Sequence, residues 1–176
     1  MHDWALPALE GDYLGDLNRV KISDNFYLSE FECHGGSCCG YSVKVHPDVL
    51  VYAEAMRSAL SEHRGVDTPL VFVSAYRCPI HNQREGGKHH SLDPRDPRNS
   101  FHCQGKAGDP DSPGVSKVIL ARIAHTIWPR VGFYWAQRPR GSVLVLHCDI
   151  ADPARLNIPA RWGDAWPQGF LEANGR

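Results

Sequence analysis

The feature that most constrains the fold is the regular alternation of side chains along residues 142–150 (SVLVLHCDI). Successive side chains of an extended strand point to opposite faces, so this segment has two chemically different faces. One face is wholly apolar and carries Leu144, Leu146, Cys148 and Ile150. The other carries Val143, Val145, His147 and Asp149. Such a strand belongs to a sheet with one side on a core, and its two polar residues either form part of a site or face solvent.

Two further segments have the periodicity of amphipathic helices. Pro47 stands in the first turn of a predicted helix that ends near Gly65. Its core-facing stripe consists of Val49, Ala53, Met56 and Leu60. Residues 113–128 predict a second helix, which Pro129 ends. The apolar face of this helix carries Val115, Ile119, Ile123 and Ile127.

Strands are predicted on either side of the second helix. Residues 70–76 (LVFVSAY) are β-branched and aromatic, and residues 130–135 predict a strand that forms an antiparallel hairpin with residues 142–150. The order helix, strand, loop, helix, hairpin predicts an α+β fold, with a small antiparallel sheet flanked by helices. Residues 79–114 form the loop of this scheme, and loops of that length are usually functional or mobile.

The chain length of 176 residues predicts a single domain, because two separate cores would each be small. We interpret residues 1–25 as an irregular N-terminal arm and residues 26–150 as the domain proper. We expect residues 151–176 to be a tail packed on the same domain.

Charge and hydropathy exclude several classes of partner. The net charge of -1 provides no field that would attract nucleic acid. No apolar run approaches the roughly 20 residues that a membrane span needs. The N-terminus also lacks the pattern of a secretory signal, so we expect a monomeric chain that is made as a soluble cytoplasmic protein.

Residues 100–109 (SFHCQGKAGD) hold a second group of candidate ligands. His102 and Asp109 lie seven residues apart, and Gly105 and Gly108 permit a tight reversal between them. Together with His147 they form a set of two histidines and one aspartate. That set is common in catalytic zinc sites, which keep a fourth position for water.

The pattern Ser100-x-His102-x-x-Gly105-x-Ala107-x-Asp109, followed by His147-x-Asp149, resembles the M15 family of zinc D,D-peptidases. That family belongs to the hedgehog/D-alanyl-D-alanine carboxypeptidase superfamily, and the likeness is to its short cell-wall and phage endolysin branch. Further landmarks occur in the usual order over residues 26–150. They are FYLSEFEC at residues 26–33, SAYRCPIHN at residues 74–82, and the pair Gly86-Gly87.

The resemblance implies a hedgehog/DD-peptidase-like fold and a role for each motif residue. His102, Asp109 and His147 would bind Zn²⁺. Arg77 would contact the carbonyl or carboxylate of the substrate as negative charge develops, or it would form a structural ion pair. Ser100 would orient a ligand or the substrate-binding loop, or act only as a local cap.

The sequence departs from the family pattern where many members carry a Glu or His as acid and base. Here those positions are Leu144 and Val145. Asp149 shares the face of His147, so it could be the general base, or it could orient the imidazole of His147. A second departure is the insert of residues 88–99, whose His89 and His90 are either solvent-exposed or in contact with substrate.

The six cysteines suggest two groupings. Cys103 and Cys148 each follow a predicted ligand, so both should point toward the core, as free thiols or as a disulfide. The remaining four could form a second metal site, or a bridge that pins a Gly-rich loop, residues 31–40 (FECHGGSCCG), to the Arg77 loop. These four are Cys33, Cys38, Cys39 and Cys78.

The leading hypothesis is a zinc peptidase that cleaves beside a D-amino acid in peptidoglycan stem peptides or crossbridges. Zinc would polarise the scissile carbonyl and lower the pKa of water to about 7. Without a signal, such an enzyme would reach the wall after host lysis or on a virion. The alternatives are a non-catalytic phage structural or wall-binding protein of the same fold, and an unrelated amidase that cuts between glycan and peptide.

Overall fold

The computed structural model describes residues 20–39, 42–87, 90–93, 95–138, 141–152, 160–168 and 170. The predicted N-terminal arm falls almost entirely outside these residues. Within them the fold is α+β, as predicted, with three α-helices and a five-stranded sheet. None of the helices in this part of the chain has the length and apolar character needed to cross a membrane.

The predicted helices are both present. Helix α1 spans Pro47–Arg64, and its predicted stripe is completely buried. The helix begins where the His46 side chain accepts a hydrogen bond from the Asp48 N–H at 3.2 Å. Helix α3 spans Lys117–Ile127, a few residues shorter than predicted, because the Ser116 hydroxyl accepts the Ile119 N–H and so caps the helix there.

The sheet has the strand order β1-β2-β4-β3-β5. Its strands are β1 (Val71–Ser74), β2 (Ala107–Asp111), β3 (Arg130–Arg138), β4 (Gly141–Asp149) and β5 (Arg161–Trp162). All neighbours pair antiparallel except β3 and β5, which are parallel. The sheet is therefore mixed, and the prediction of an antiparallel sheet is wrong for the short parallel strand contributed by the tail.

Strand β4 has the two faces that its alternation predicted. Leu146 and Cys148 are buried in the main core, where they join Phe133 of β3 and Trp128 at the end of α3. Helices α1 and α3 pack against each other, and α3 contacts β3 and β4. The core therefore lies between the helices and the apolar face of the sheet.

The predicted loop of residues 79–114 contains two elements that the sequence did not reveal. Helix α2 spans Pro79–Arg84 and is too short to show a periodic pattern. Strand β2 has the sequence AGDPD, which lacks the usual β-forming residues. It is extended because β1 and β4 pair with it on both sides, so tertiary context overrides its local preference.

Candidate metal centre

Three backbone segments bring the predicted ligand residues together. Asp109 lies in β2 and His147 in β4, and these two strands pair with Gly108 opposite Cys148. His102 lies in the turn before β2, which reverses at Gly105 with a φ of 68°. The reversal predicted from the glycines is therefore present, and it returns the chain from the buried His102 to the sheet.

The ligand atoms of these residues form a nearly equilateral triangle. His102 Nε2 lies 3.1 Å from His147 Nδ1, His147 Nδ1 lies 2.9 Å from Asp109 Oδ1, and His102 Nε2 lies 3.3 Å from Asp109 Oδ1. Ligands held at about 2.0–2.1 Å from a tetrahedral zinc ion are about 3.3 Å apart. The donor set and its spacing therefore suit a zinc ion with one position left open.

Hydrogen bonds outside the triangle set which nitrogen of each imidazole is available. His102 Nδ1 lies 2.6 Å from the Ala75 carbonyl oxygen, which can only accept, so this nitrogen carries the proton. His147 Nε2 lies 3.2 Å from Asp149 Oδ2 and donates to it in the same way. In the neutral form of each imidazole, the nitrogen that faces the triangle is therefore the unprotonated one, which is the form that binds a metal.

The metal-free electrostatics show how strongly the three groups interact. Burial lowers the pKa of His102. Burial alone would raise the pKa of Asp109, but the neighbouring His102 and His147 hold it well below its usual range. Burial also opposes charge on His147, yet hydrogen bonds to Asp109 and Asp149 raise its pKa to about 9. Asp109 therefore stays ionised beside the two imidazoles.

Asp149 lies behind His147, on the side of the ring away from the triangle. Its side chain is fully buried, and it accepts hydrogen bonds from Arg130 Nη1 at 2.5 Å and from the Ala151 N–H at 3.0 Å. The guanidinium of Arg130 in turn lies 3.9 Å above the ring of Trp162. This position suits a group that orients His147.

Sequence analysis did not identify Arg130 or Trp162 as site residues. Arg130 lies directly opposite Asp149 in the β3–β4 register. A sequence prediction of the exact pairing of these two strands would therefore have identified the pair. Trp162 lies in β5, with its ring centroid 5.6 Å from that of His147. No local signal in the tail indicates that contact.

Arg77 and Ser100 both contact the ligand segments. Arg77 Nη2 donates to Asp109 Oδ2 at 2.5 Å, and its Nε donates to the Ser74 hydroxyl at 2.6 Å. Ser100 Oγ accepts the His102 N–H at 3.3 Å. The structure thus contains the ion pair considered for Arg77 and the local turn contact considered for Ser100.

A cleft of about 640 Å³ borders the centre. Asp109 and Arg77 form part of its wall, as do Leu144 and Val145, the positions where many M15 members carry an acid or base. The other titratable side chains that line it are His34, His81, Glu85, Asp111, Lys117, Tyr134 and Arg138. Of the two insert histidines, His90 is exposed and is not among the lining residues, while His89 lies outside the described residues.

The six cysteines are all free thiols. Cys103 and Cys148 are completely buried, as expected for residues that follow the ligands and point into the core. The other four form a second group whose Sγ atoms lie within 4.8 Å of one another. The sequence had suggested either a metal site or a bridge for these residues.

Comparison with known proteins gave one match. A family model described as Peptidase M15 matches residues 24–138, a stretch that contains Arg77, His102 and Asp109. No curated protein and no solved structure matches the chain.

Proposed function

Since the chain belongs to the M15 peptidase family, we propose that it is a zinc-dependent peptidase that cleaves peptidoglycan peptides beside a D-amino acid. The observation that carries this proposal is the triangle of His102 Nε2, Asp109 Oδ1 and His147 Nδ1 at the wall of an open cleft. A zinc ion held there would supply a Lewis acid that polarises a carbonyl and acidifies water.

The residues around the triangle keep its donors aligned. Asp149 holds the ring of His147, and the Ala75 carbonyl holds the ring of His102. Arg77 binds the second oxygen of Asp109 and so directs the first one at the triangle. Outer partners of this kind fix the orientation of ligands and strengthen metal binding.

Arg77 also borders the cleft, where a peptide carbonyl or terminal carboxylate would lie. A guanidinium fixed at two of its nitrogens is preorganised, so it stabilises developing negative charge without reorganising. We therefore assign Arg77 to the contact with substrate as well as to the support of Asp109.

We assign Asp149 to the positioning of His147 rather than to proton transfer. The imidazole stands between Asp149 and the triangle, and the carboxylate is already paired with Arg130. The group that accepts a proton from water would then be one of the titratable side chains that line the cleft, which include His81 and Glu85.

The choice of substrate rests on the resemblance of the motifs and on the guanidinium of Arg77 at the wall of the cleft. Two other cations line the cleft, but Lys117 is paired with Asp111 and Arg138 with Glu85. Peptidoglycan stem peptides carry free carboxylates, which guanidinium and ammonium groups bind well.

The test is digestion of purified peptidoglycan by the zinc-loaded wild type, by His147→Ala and by His63→Ala. His63 is an exposed histidine near the end of α1 and serves as the matched control. We expect the wild type and His63→Ala to release fragments with new peptide ends, identified by mass spectrometry. His147→Ala should release none and should bind less zinc at the triangle.

Two results would overturn the proposal. A zinc-loaded wild type that binds the wall but cuts nothing would favour the non-catalytic wall-binding protein. Fragments cut between glycan and peptide would favour an amidase.

A further inference from the structure

Four cysteines that the proposed reaction does not use come together at the start of α2. Cys33, Cys38, Cys39 and Cys78, here called the cysteine cluster, have Sγ atoms within 4.8 Å of one another. Cys38 Sγ lies 3.2 Å from Cys78 Sγ and 3.7 Å from Cys39 Sγ. Four thiolates bound at about 2.3 Å to a tetrahedral zinc ion are about 3.8 Å apart. The cluster is therefore close to the size of such a site.

Three of the four sulfur atoms accept hydrogen bonds from neighbouring N–H or O–H groups. Cys33 Sγ accepts the Cys78 N–H at 3.3 Å, and Cys78 Sγ accepts the His81 N–H at 3.3 Å. Cys39 accepts from the backbone and side chain of Ser42. Donors aimed at sulfur stabilise thiolates, the form in which cysteine binds metal.

The backbone is packed closely onto the cluster. A Cβ at Gly35 would lie 2.3 Å from Cys38 Sγ, so only glycine leaves room for that sulfur. Cys33 and Cys78 are buried, whereas Cys38 and Cys39 are partly exposed. An ion could therefore enter from the Cys38 side and be held from beneath by the two buried sulfurs.

We propose that the cysteine cluster is a structural zinc site, separate from the centre formed by His102, Asp109 and His147. Four sulfur ligands close the coordination shell, which is typical of structural zinc, whereas the histidine and aspartate set leaves a position open. Thiolates also select soft and borderline metals more strongly than nitrogen and oxygen donors do.

The cysteine cluster lies between two segments that a bound metal would connect. Cys78 directly follows Arg77 and caps α2, while Cys33, Cys38 and Cys39 lie in the Gly-rich loop. A metal shared among them would tie that loop to the segment that carries Arg77. The second site would thus hold one wall of the cleft in place without contact with substrate.

The first measurement is zinc content per chain in four proteins purified under reducing conditions. We expect two zinc ions in the wild type, one in His147→Ala, one in Cys38→Ser and two in the control Cys103→Ser. Cys103 is a buried free thiol outside the cluster. One zinc ion in the wild type that disappears in His147→Ala would overturn the proposal.

The second measurement identifies the ligands and does not require a folded cysteine variant. His147→Ala loaded with Co²⁺ should show the intense near-ultraviolet charge-transfer band of cobalt bound to thiolates. Absence of that band would overturn the proposal. So would a Cys38–Cys78 disulfide in the protein as isolated, detected by mass spectrometry as the loss of two hydrogens.

Discussion

At the scale of single residues, His147 connects the candidate metal centre to the side chains behind it. Its Nδ1 faces Asp109 Oδ1 at 2.9 Å, and its Nε2 faces Asp149 Oδ2 at 3.2 Å. One ring therefore connects the triangle to the buried pair formed by Asp149 and Arg130. Residues that touch no metal ligand atom of the triangle can still decide how well the ion is held.

The positioning role of Asp149 predicts a change in metal affinity. Asp149→Asn should weaken zinc binding at the triangle by roughly 10- to 100-fold, because the amide holds the His147 ring less firmly. Competition with a chromophoric chelator measures the affinity, in a Cys38→Ser background so that one site is observed. Asp111→Asn, which changes a cleft carboxylate paired with Lys117, is the control. Unchanged affinity with lost hydrolysis would instead make Asp149 the general base.

Arg77 has two assigned roles, which a pair of substitutions can separate. Arg77→Lys keeps the charge but loses the two-nitrogen contact with Asp109 and Ser74. We expect kcat/KM to fall by at least about 10-fold in Arg77→Lys and further in Arg77→Ala, with zinc still bound in both. Steady-state hydrolysis of a defined stem peptide measures this. Equal activity of the wild type and Arg77→Ala would contradict the contact with substrate.

The raised pKa of His147 predicts how the stability of the metal-free protein varies with pH. Because the folded-state pKa is about 9 and the ordinary value is 6.5, this residue stabilises the fold fully below about pH 6.5. The contribution is lost as the pH rises through about 9, and it is on the order of 3 kcal/mol at most.

Urea unfolding of the chelator-treated protein between pH 6 and pH 9 measures that dependence. In His147→Gln the contribution should be missing, whereas His63→Gln should behave as the wild type. Parallel pH profiles for the wild type and His147→Gln would show that His147 does not titrate as stated.

At the scale of elements, the short strand β5 completes the site from a distant part of the chain. It pairs with β3 through Val131 opposite Arg161 and Gly132 opposite Trp162. This pairing places the Trp162 ring against Arg130 and His147. Trp162 of the tail therefore packs against the candidate metal centre.

Gly132 is the residue of β3 that pairs with Trp162 of β5 and lies against its ring. A Cβ there would lie 2.4 Å from the Trp162 ring, so Gly132→Ala should destabilise the protein by about 1–3 kcal/mol through overpacking. Thermal or urea unfolding measures the change. In the double variant Gly132→Ala, Trp162→Ala the clash is absent, so its destabilisation should be less than the sum of the single effects. Additive effects would show that the two residues do not meet.

At the scale of the whole molecule, metal binding should contribute to the stability of the fold. A ligand that binds only the folded state stabilises it by about 4 kcal/mol when its free concentration is 1,000-fold above Kd. Removal of zinc by a chelator should therefore lower Tm. In His147→Ala and in Cys38→Ser, chelator should lower Tm by less than in the wild type, because each variant retains one of the two proposed sites. A Tm that does not respond to chelator in the wild type would contradict metal binding by the folded chain.

The sequence determined the parts of this protein that depend on local periodicity. The stripe of α1, the two faces of β4 and the α+β class follow from spacing alone, because burial of apolar side chains selects helix or strand from their period. The sequence also identified the three residues that converge in the structure. They are His102 and Asp109, from the motif with spaced glycines, and His147 from β4.

Only the tertiary structure decided what depends on partners far apart in the chain. Strand β2 is a strand because two neighbours pair with it, and β5 is one because Trp162 packs over Gly132. The pairing of Asp149 with Arg130 depends on an exact hairpin register, and the cysteine cluster depends on a fold that brings Cys78 to the Gly-rich loop. Such contacts cannot be predicted from sequence spacing, because they stabilise the fold only when separate segments are packed together.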